Sequence, residues 1–348
     1  MLLERLSNAF GPSGCEEEVR DIILDAIKDD IDEHRVDALG NLIALRKARG
    51  SSPKGFPRRV MVAAHMDEVG LMITHIEKEG WLRFARVGGV DARVLLAKAV
   101  VIGDKRVPGV IGIKPIHLMR EDERTKMPRI EDLYIDIGSS DRSQAEKLVK
   151  VGDYAVFRTR FAAVKESPLR AVKGKAFDDR VGCAVLAELL KQDYAFDLYA
   201  TFTTQEEVGL RGAQVAAYAV DPDVAFALEG TICDDMPRKR DVSPGTRMGQ
   251  GPAITIMDRS VIVDKRLVKL LLQSADKLEI PHQFKQSVTG GTDAGAIHLA
   301  REGIPAAVVS VPSRYIHSPV CMLSLSDLEH TVTLMDEALH RLEGGLPE

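Results

Sequence analysis

The sequence predicts an α/β protein in which one α/β domain, residues 1–67 and 167–348, is interrupted by a β-rich insert spanning 68–166. Three observations lead there. Apolar, β-branched runs of strand length, such as "RRVMVAAHMDEVG", "DLYATFTTQEE", "DVAFALEGT" and "GIPAAVVSV", alternate with segments of helical apolar spacing, as in a sheet covered by helices. Between 68 and 166 the texture changes to short apolar runs with glycines at 80, 88, 89, 103, 109 and 112 and a charged loop at 119–129. Each flanking α/β part is too strand-poor to stand alone, so the two form one domain.

The elements follow in order. Ser13 to Glu16 has capping-box spacing, and Val19, Ile22, Ile23, Ala26 and Ile27 then fall on one face of a first amphipathic helix. "VDALGNLIALR" reads as two short strands about a turn at Gly40-Asn41, and "RRVMVAAHMDEVG" as a core strand ending near His65. Past the insert come the helix "DDRVGCAVLAELLKQ", the strand "DLYATFTTQEE", the helix "LRGAQVAAYAV" and the strand "DVAFALEGT". The strand "PAITIMD", the helix "KRLVKLLLQSADKLE" and the buried strand "GIPAAVVSV" complete the alternation. Ser326 to Glu329 repeat the capping-box spacing and open a final helix through Leu342.

Composition narrows the partners. The 348 residues are 45% apolar and 28% charged with a formal net charge of −5, so no basic excess invites nucleic acid or an anionic membrane. Small molecules or peptides are the expected partners. Cys15, Cys183, Cys233 and Cys321 lie far apart without C-x-x-C pairing, which argues against a disulfide framework or zinc knuckle and for a reducing compartment. No apolar run reaches the roughly 18 residues that span a bilayer, and "MLLERLSNAFGPSG" lacks the apolar stretch of a signal peptide, so a cytoplasmic location is expected.

The chemistry gathers at strand ends. His65, Glu206, Glu207 and Glu229 each stand at the C-terminal end of an expected core strand, and His317 a few residues past another, at the edge where α/β sheets bind ligands. Asp178 and Asp179 sit at a loop-to-helix junction. Alone, His65 reads as a core histidine and Asp178-Asp179 as a helix cap. Acids at the ends of apolar strands have no such ordinary reason, because an unpaired buried carboxylate costs several kcal/mol, so the set points to divalent cations. Imidazole and carboxylate donors without thiolates suit zinc, cobalt or manganese. Two cations would make so many clustered acids tolerable, with one of Glu206 and Glu207 binding metal and the other facing the reacting water, since neighbours on a strand point to opposite faces.

"AAHMDEVG", "AFDDRVG", "TTQEEVGLRGA", "FALEGT", "GGTDAGAIH" and "SRYIHS" resemble, in order and spacing, the motifs of the tetrahedral aminopeptidases, the glutamyl and leucyl aminopeptidase family of dinuclear metallopeptidases. The likeness runs from about residue 8 to about 340. It implies a mixed-sheet α/β/α sandwich of the zinc-exopeptidase type carrying a PDZ-like barrel. It also implies that His65 and Glu229 hold one metal, that Glu207 and His317 hold the other, and that Asp178 bridges them. Asp67 would orient the His65 ring, Asp179 would support the turn, and Glu206 would be the general base. Well-known members carry aspartate where this chain has Glu229.

The implied activity is release of N-terminal residues from short peptides by a water lying between two dications, most readily Zn or Co. Such a water has its pKa lowered from about 15.7 toward about 7, and Glu206 takes its proton and passes it to the departing amine. "VTGGTDAGAIH" lacks the Walker lysine and the dinucleotide glycine spacing, and in the family it borders the active site, so Gly291, Thr292 and Asp293 are expected to line the substrate pocket. Arg211 and Arg259 are candidates for reading an acidic side chain, although surface ion pairs are the commoner fate of arginines. His298 reads as structural, and His75 and His117 as surface residues of the insert. The insert resembles the family's dimerisation module, which implies self-association, up to a hollow homododecamer. A deacylase or dipeptidase of the same dinuclear design, a metal-free glycosidase and an inactive shell protein are the competing readings.

Overall fold

The structure, a computed structural model, describes residues 1–50, 57–237, 245–285 and 288–347. Helices α1 (Leu2–Asn8) and α2 (Glu17–Ile27) lead into strands β1 (Glu33–Val36), β2 (Leu42–Arg46) and β3 (Arg59–His65). The insert supplies β4 (Gly70–Ile76), β5 (Leu82–Val87), β6 (Ala99–Ile102) and β7 (Val107–Gly112), then the short helix α3 (Glu121–Arg124), β8 (Tyr134–Asp136), α4 (Arg142–Glu146) and β9 (Tyr154–Phe157). The chain returns through β10 (Ala162–Ala163), β11 (Ala171–Gly174), α5 (Phe177–Leu189), β12 (Asp197–Thr203), α6 (Arg211–Val220) and β13 (Val224–Ile232). It ends with β14 (Ala253–Thr255), α7 (Lys265–Lys277), β15 (Gln283–Lys285), α8 (Ala294–Ile297), β16 (Ala306–Arg314), β17 (Cys321–Ser324) and α9 (Leu325–Leu342).

The large sheet is mixed. Its order is β1-β2-β12-β3-β13-β16-β17-β11-β10, with β14 and β15 attached through β16. The central strands β12, β3, β13 and β16 run parallel, while β1, β2, β17, β11 and β10 extend the sheet in antiparallel fashion. Side chains alternate across the pleat, which makes two cores. Val60, Val62 and Ala64 with Phe226, Leu228 and Val309 face one core, where α1, α2, α5, α7 and α9 pack. Met61 and Ala63 with Ala225, Ala227 and Val308 face the other, closed by the alanine-rich face of α6 and by α8. The result is the expected α/β/α sandwich, and strands buried on both faces explain why these runs lack a polar phase.

The insert closes on itself as a barrel in the order β4-β5-β8-β7-β6-β9. Its strands alternate, as β7 does with Val107, Gly109 and Ile111 inside and Pro108 and Val110 outside, and they bury a separate core around Leu71, Leu82, Ile102 and Ile135. Closure removes the free edges that an open sheet of this length would leave. Ala162 and Ala163 of β10, within the 68–166 span, pair with β11 and so belong to the large sheet.

Two local expectations are corrected, and one helix was not foreseen. Ser13 caps nothing: α2 starts at Glu17 with Glu16 in the cap position and no side-chain cap, which leaves Ser13 three residues upstream, where its hydroxyl donates to the buried Asp67 Oδ2 at 2.6 Å. The final helix is capped by Ser324, whose Oγ accepts from the Asp327 N–H, rather than by Ser326 two residues later. Helix α1, with Leu3 and Leu6 buried, had no sequence signal because two turns show too little period to read.

Candidate metal centre

The parallel strands deliver the site residues to one edge. His65 is the last residue of β3, Glu229 lies in β13 opposite Ser310, and His317 follows β16 by three residues. β12 stops at Thr203, so Glu206 and Glu207 occupy the loop beyond it, with Gln205 turning the chain at φ 56°. The expected alternation of strand faces therefore does not separate these two glutamates; the loop does. Asp178 and Asp179, near the start of α5, have non-helical dihedrals. A Cβ at Gly230 would stand 2.9 Å from the Asp178 Cα, so only glycine lets β13 pass this close beneath it.

Two ligand clusters share one carboxylate. Nε2 of His65 lies 3.3 Å from Asp178 Oδ1 and 3.6 Å from Glu229 Oε2. Nε2 of His317 lies 3.4 Å from Asp178 Oδ2 and 3.3 Å from Glu207 Oε1. Within each of the triads His65-Asp178-Glu229 and Asp178-Glu207-His317 the donor atoms fall within 4.8 Å of one another. Glu206 Oε2 is 3.9 Å from His65 Nε2 and belongs to neither triad.

The donor set fits divalent cations. His65 Nδ1 faces the Asp67 carbonyl at 3.1 Å, and His317 Nδ1 faces the Gly89 carbonyl at 3.0 Å. Those bonds engage Nδ1–H of each ring and turn each Nε2 toward carboxylate oxygens, an arrangement that needs a proton or a metal cation between them. The charges register the same deficit. Burial, with repulsion from Glu229, Glu207 and Asp293, pushes the Glu206 carboxyl far above its ordinary range, and burial raises Glu229 likewise. Burial lifts Glu207 to about 7 and Asp293 to about 6. Burial would lower both histidines, yet the carboxylates around them hold His65 well above its ordinary value and His317 at about 10. Asp178 is held low against its burial by hydrogen bonds from both imidazoles.

Asp67 organises the surroundings. Its carboxylate accepts from Ser13 Oγ and from the backbone N–H groups of Glu206 at 3.0 Å and Glu207 at 3.2 Å, while Oδ1 lies 3.3 Å from His65 Nδ1. Asp179 accepts from Gly182 N and His65 N and pins the start of α5 to the end of β3. Glu16 accepts from Gly14 N and Gln205 N and so ties α2 to the loop carrying the glutamates.

Above the clusters a cavity of about 560 Å³ opens, bounded by Glu206, Glu207, Glu229 and His317 and, further out, by Leu210, Met236 and Lys285. Gly291 and Thr292 line it; Asp293 does not. Asp293 is buried behind the wall, where its N–H donates to Glu229 Oε1 at 3.3 Å and its Oδ2 accepts from Thr203 Oγ1. Arg211 bonds Gln205, and Arg259 is exposed outside the cavity; among the described residues the cation that lines it is Lys285. His298 bonds the Ala294 carbonyl, His75 contacts Arg142, and His117 is exposed. Sequence reasoning missed Ser13, Glu16, Gly89, Thr203 and Lys285. Ser13 and Glu16 show only the spacing of a helix cap and Thr203 only a strand-end position, neither of which points to the contacts they make, and Gly89 matters only because the barrel sets its carbonyl against His317.

Known proteins carry the same organisation. A family model described as M42 glutamyl aminopeptidase matches residues 40–334. A putative aminopeptidase of Acetivibrio thermocellus is 41% identical over 342 residues, covering 97% of each chain. Among solved structures, a TET aminopeptidase from a marine sediment archaeon of the Thaumarchaeota is 39% identical and superposes with a TM-score of 0.92 over 99% of this chain and 98% of its own. The TET1 peptidase of Pyrococcus horikoshii, which can assemble into a tetrahedron or a large octahedral shell, is 37% identical with a TM-score of 0.83 over 98% and 99%. Sequence, fold and the paired ligand triads converge on one assignment: the chain belongs to the M42 glutamyl aminopeptidase family.

Proposed function

We propose that the protein is a dinuclear metal-dependent aminopeptidase that releases N-terminal residues from short peptides. The observation that carries this is the pair of triads joined through Asp178, with Glu206 beside them and outside both. His65, Asp178 and Glu229 would hold one dication, and Asp178, Glu207 and His317 the other. Zn or Co suits this nitrogen and oxygen donor set, and the extra methylene of Glu229 is accommodated because the Asp293 N–H steadies its carboxylate. Bound there, the cations acidify water and polarise a carbonyl oxygen.

The chain's own groups do the rest. Glu206, beside the triads and a member of neither, takes the proton from the attacking water and returns it to the leaving amine nitrogen. Asp67 holds the His65 ring and, through two backbone amides, the positions of Glu206 and Glu207. The carboxylates around the clusters favour a substrate with a free, positively charged α-amino group, which restricts cleavage to the first residue. The cavity is within the roughly 300–1,000 Å³ typical of small-ligand sites, and Gly291 and Thr292 form part of its wall.

The division into a catalytic domain, 1–67 and 167–348, and an inserted domain, 68–166, is supported by the separate barrel core. Self-association through the insert, up to a homododecamer, is supported by the shell-forming Pyrococcus horikoshii relative and by exposed Ile116, Leu118 and Met127 on the insert. Among the described residues no helix is long and apolar enough to cross a membrane, in keeping with a cytoplasmic location. The test is hydrolysis of aminoacyl chromogenic substrates and their N-acetylated counterparts by protein refilled with Zn or Co. Cleavage confined to the free amines is expected; cleavage of the blocked compounds alone would assign a deacylase instead.

A further inference from the structure

A second cavity, of about 370 Å³, opens at the junction between the barrel and the large sheet, apart from the cleft over the triads. Its walls come from both bodies: Phe10 and Lys175 from the α/β part, Arg106 and Phe157 from the barrel, and Arg158 and Arg160 from the connector that follows β9. Four of these six side chains are cationic, in a chain whose acids outnumber its bases by 52 to 47.

Their existing partners leave the positive charge unbalanced. Glu18 is the one carboxylate among the lining residues, and it is already engaged: Oε1 accepts from the Phe10 N–H at 3.2 Å, and Oε2 pairs with Arg106. The Arg106 guanidinium lies over the Phe10 ring at 3.7 Å from its centroid, which fixes its plane. Lys175 is buried and bonded to the Ala9 carbonyl and to Glu68. The guanidinium groups of Arg158 and Arg160 have no hydrogen-bond or carboxylate partner among the described residues, although most arginines elsewhere on this surface are paired. Thr159, between them, donates to the Pro319 carbonyl at 2.6 Å, two residues past His317.

We infer that this junction cavity binds a small doubly charged oxyanion, held by Arg158 and Arg160 at the rim and Arg106 on the barrel side. Guanidinium forks match carboxylate and phosphate oxygens in pairs, and the site carries enough uncompensated positive charge to favour a dianion over a monovalent ion. Because the cations come from both bodies, the bound anion ties the barrel to the α/β domain and steadies the segment leading to His317. Carboxylate and phosphate sources share this chemistry, so the probes must separate them.

The experiment uses metal-loaded protein at constant ionic strength, titrated with sulfate, methyl phosphate or succinate against a chloride reference and read by thermal shift and calorimetry. The expected result is a saturable rise in melting temperature with at least one dianion, and its identity names the source class. The double variant Arg158→Gln/Arg160→Gln should weaken that apparent affinity about tenfold or more. Arg158→Lys/Arg160→Lys should weaken it less, while Arg120→Gln/Lys126→Gln on the insert loop should leave it unchanged. Peptide hydrolysis without added dianion should match the wild type in every variant, since none of these residues lines the cleft over the triads. No saturable response in the wild type, or the same response retained in the Arg158→Gln/Arg160→Gln protein, would overturn the site.

Discussion

At Asp67 one carboxylate fixes four groups at once: the Ser13 hydroxyl, the Glu206 and Glu207 amides and the His65 ring. A buried charge tolerates this position only because every lone-pair direction is used. Asp67→Asn puts an N–H₂ where an acceptor is required, and it is expected to weaken dication affinity about 10- to 100-fold, measured by competition with a chromogenic chelator. Glu206 behaves differently, since it sits beside the triads without completing either. Glu206→Gln should lower turnover by about 10²–10⁴-fold while elemental analysis still finds two dications per chain. If turnover persisted with metals in place, Glu206 would not be the base. That His65, Glu206, Glu207, Glu229 and His317 gather at one place was legible from their positions at strand ends. Gly89 and Asp293 act through a backbone carbonyl and a backbone N–H, groups that nearly every residue type offers, and the Ser13 hydroxyl meets a carboxylate 54 residues away, so no local pattern marks these contacts.

At the level of elements, the glutamate loop and the start of α5 depend on close backbone approaches. Gly230→Ala brings a Cβ to 2.9 Å from the Asp178 Cα, and β13 is held there by its register with β16, in which Gly230 faces Val311. Overpacking of this kind costs about 1–3 kcal/mol, so the metal-free variant should unfold at lower denaturant, and its displaced Asp178 should bind metal more weakly. The last helix offers a cleaner contrast. Ser324→Ala removes the cap of α9 and should cost about 1 kcal/mol in urea unfolding, whereas Ser326→Ala, whose hydroxyl meets only the exposed Arg170 at 3.4 Å, should be nearly neutral. Equal losses at the two serines would contradict the observed cap.

Across the whole molecule the metal centre is a store of destabilising charge when it lacks cations. Glu207, raised by burial to about 7 from 4.5, keeps its proton more tightly in the folded chain than in the unfolded one, so stability falls as pH rises through that interval. His317, held at about 10 against 6.5 by its carboxylate neighbours, contributes stability that is complete below 6.5 and lost as pH climbs toward 10. Asp178 is depressed, and its opposite effect is confined below about 3.8. The chelated protein should therefore melt at progressively lower temperature from pH 6 to pH 9, and refilling with Zn or Co should flatten that slope. A metal-free melting temperature that rises over this range would show that the clustered charges are compensated in some other way.

Local patterns in the chain were enough to read the class of fold, the interruption by a β-rich insert and the residues that gather at the strand ends. Strand and helix periods are local, and acids placed at the ends of apolar runs are anomalous wherever they occur. The assembled fold was needed to bring Asp178 against both imidazoles, to part Glu206 from Glu207 by a loop rather than by strand alternation, and to set a barrel carbonyl against His317. Those facts depend on the relative placement of strands far apart in the chain, which is set by packing and register that no short window of residues contains.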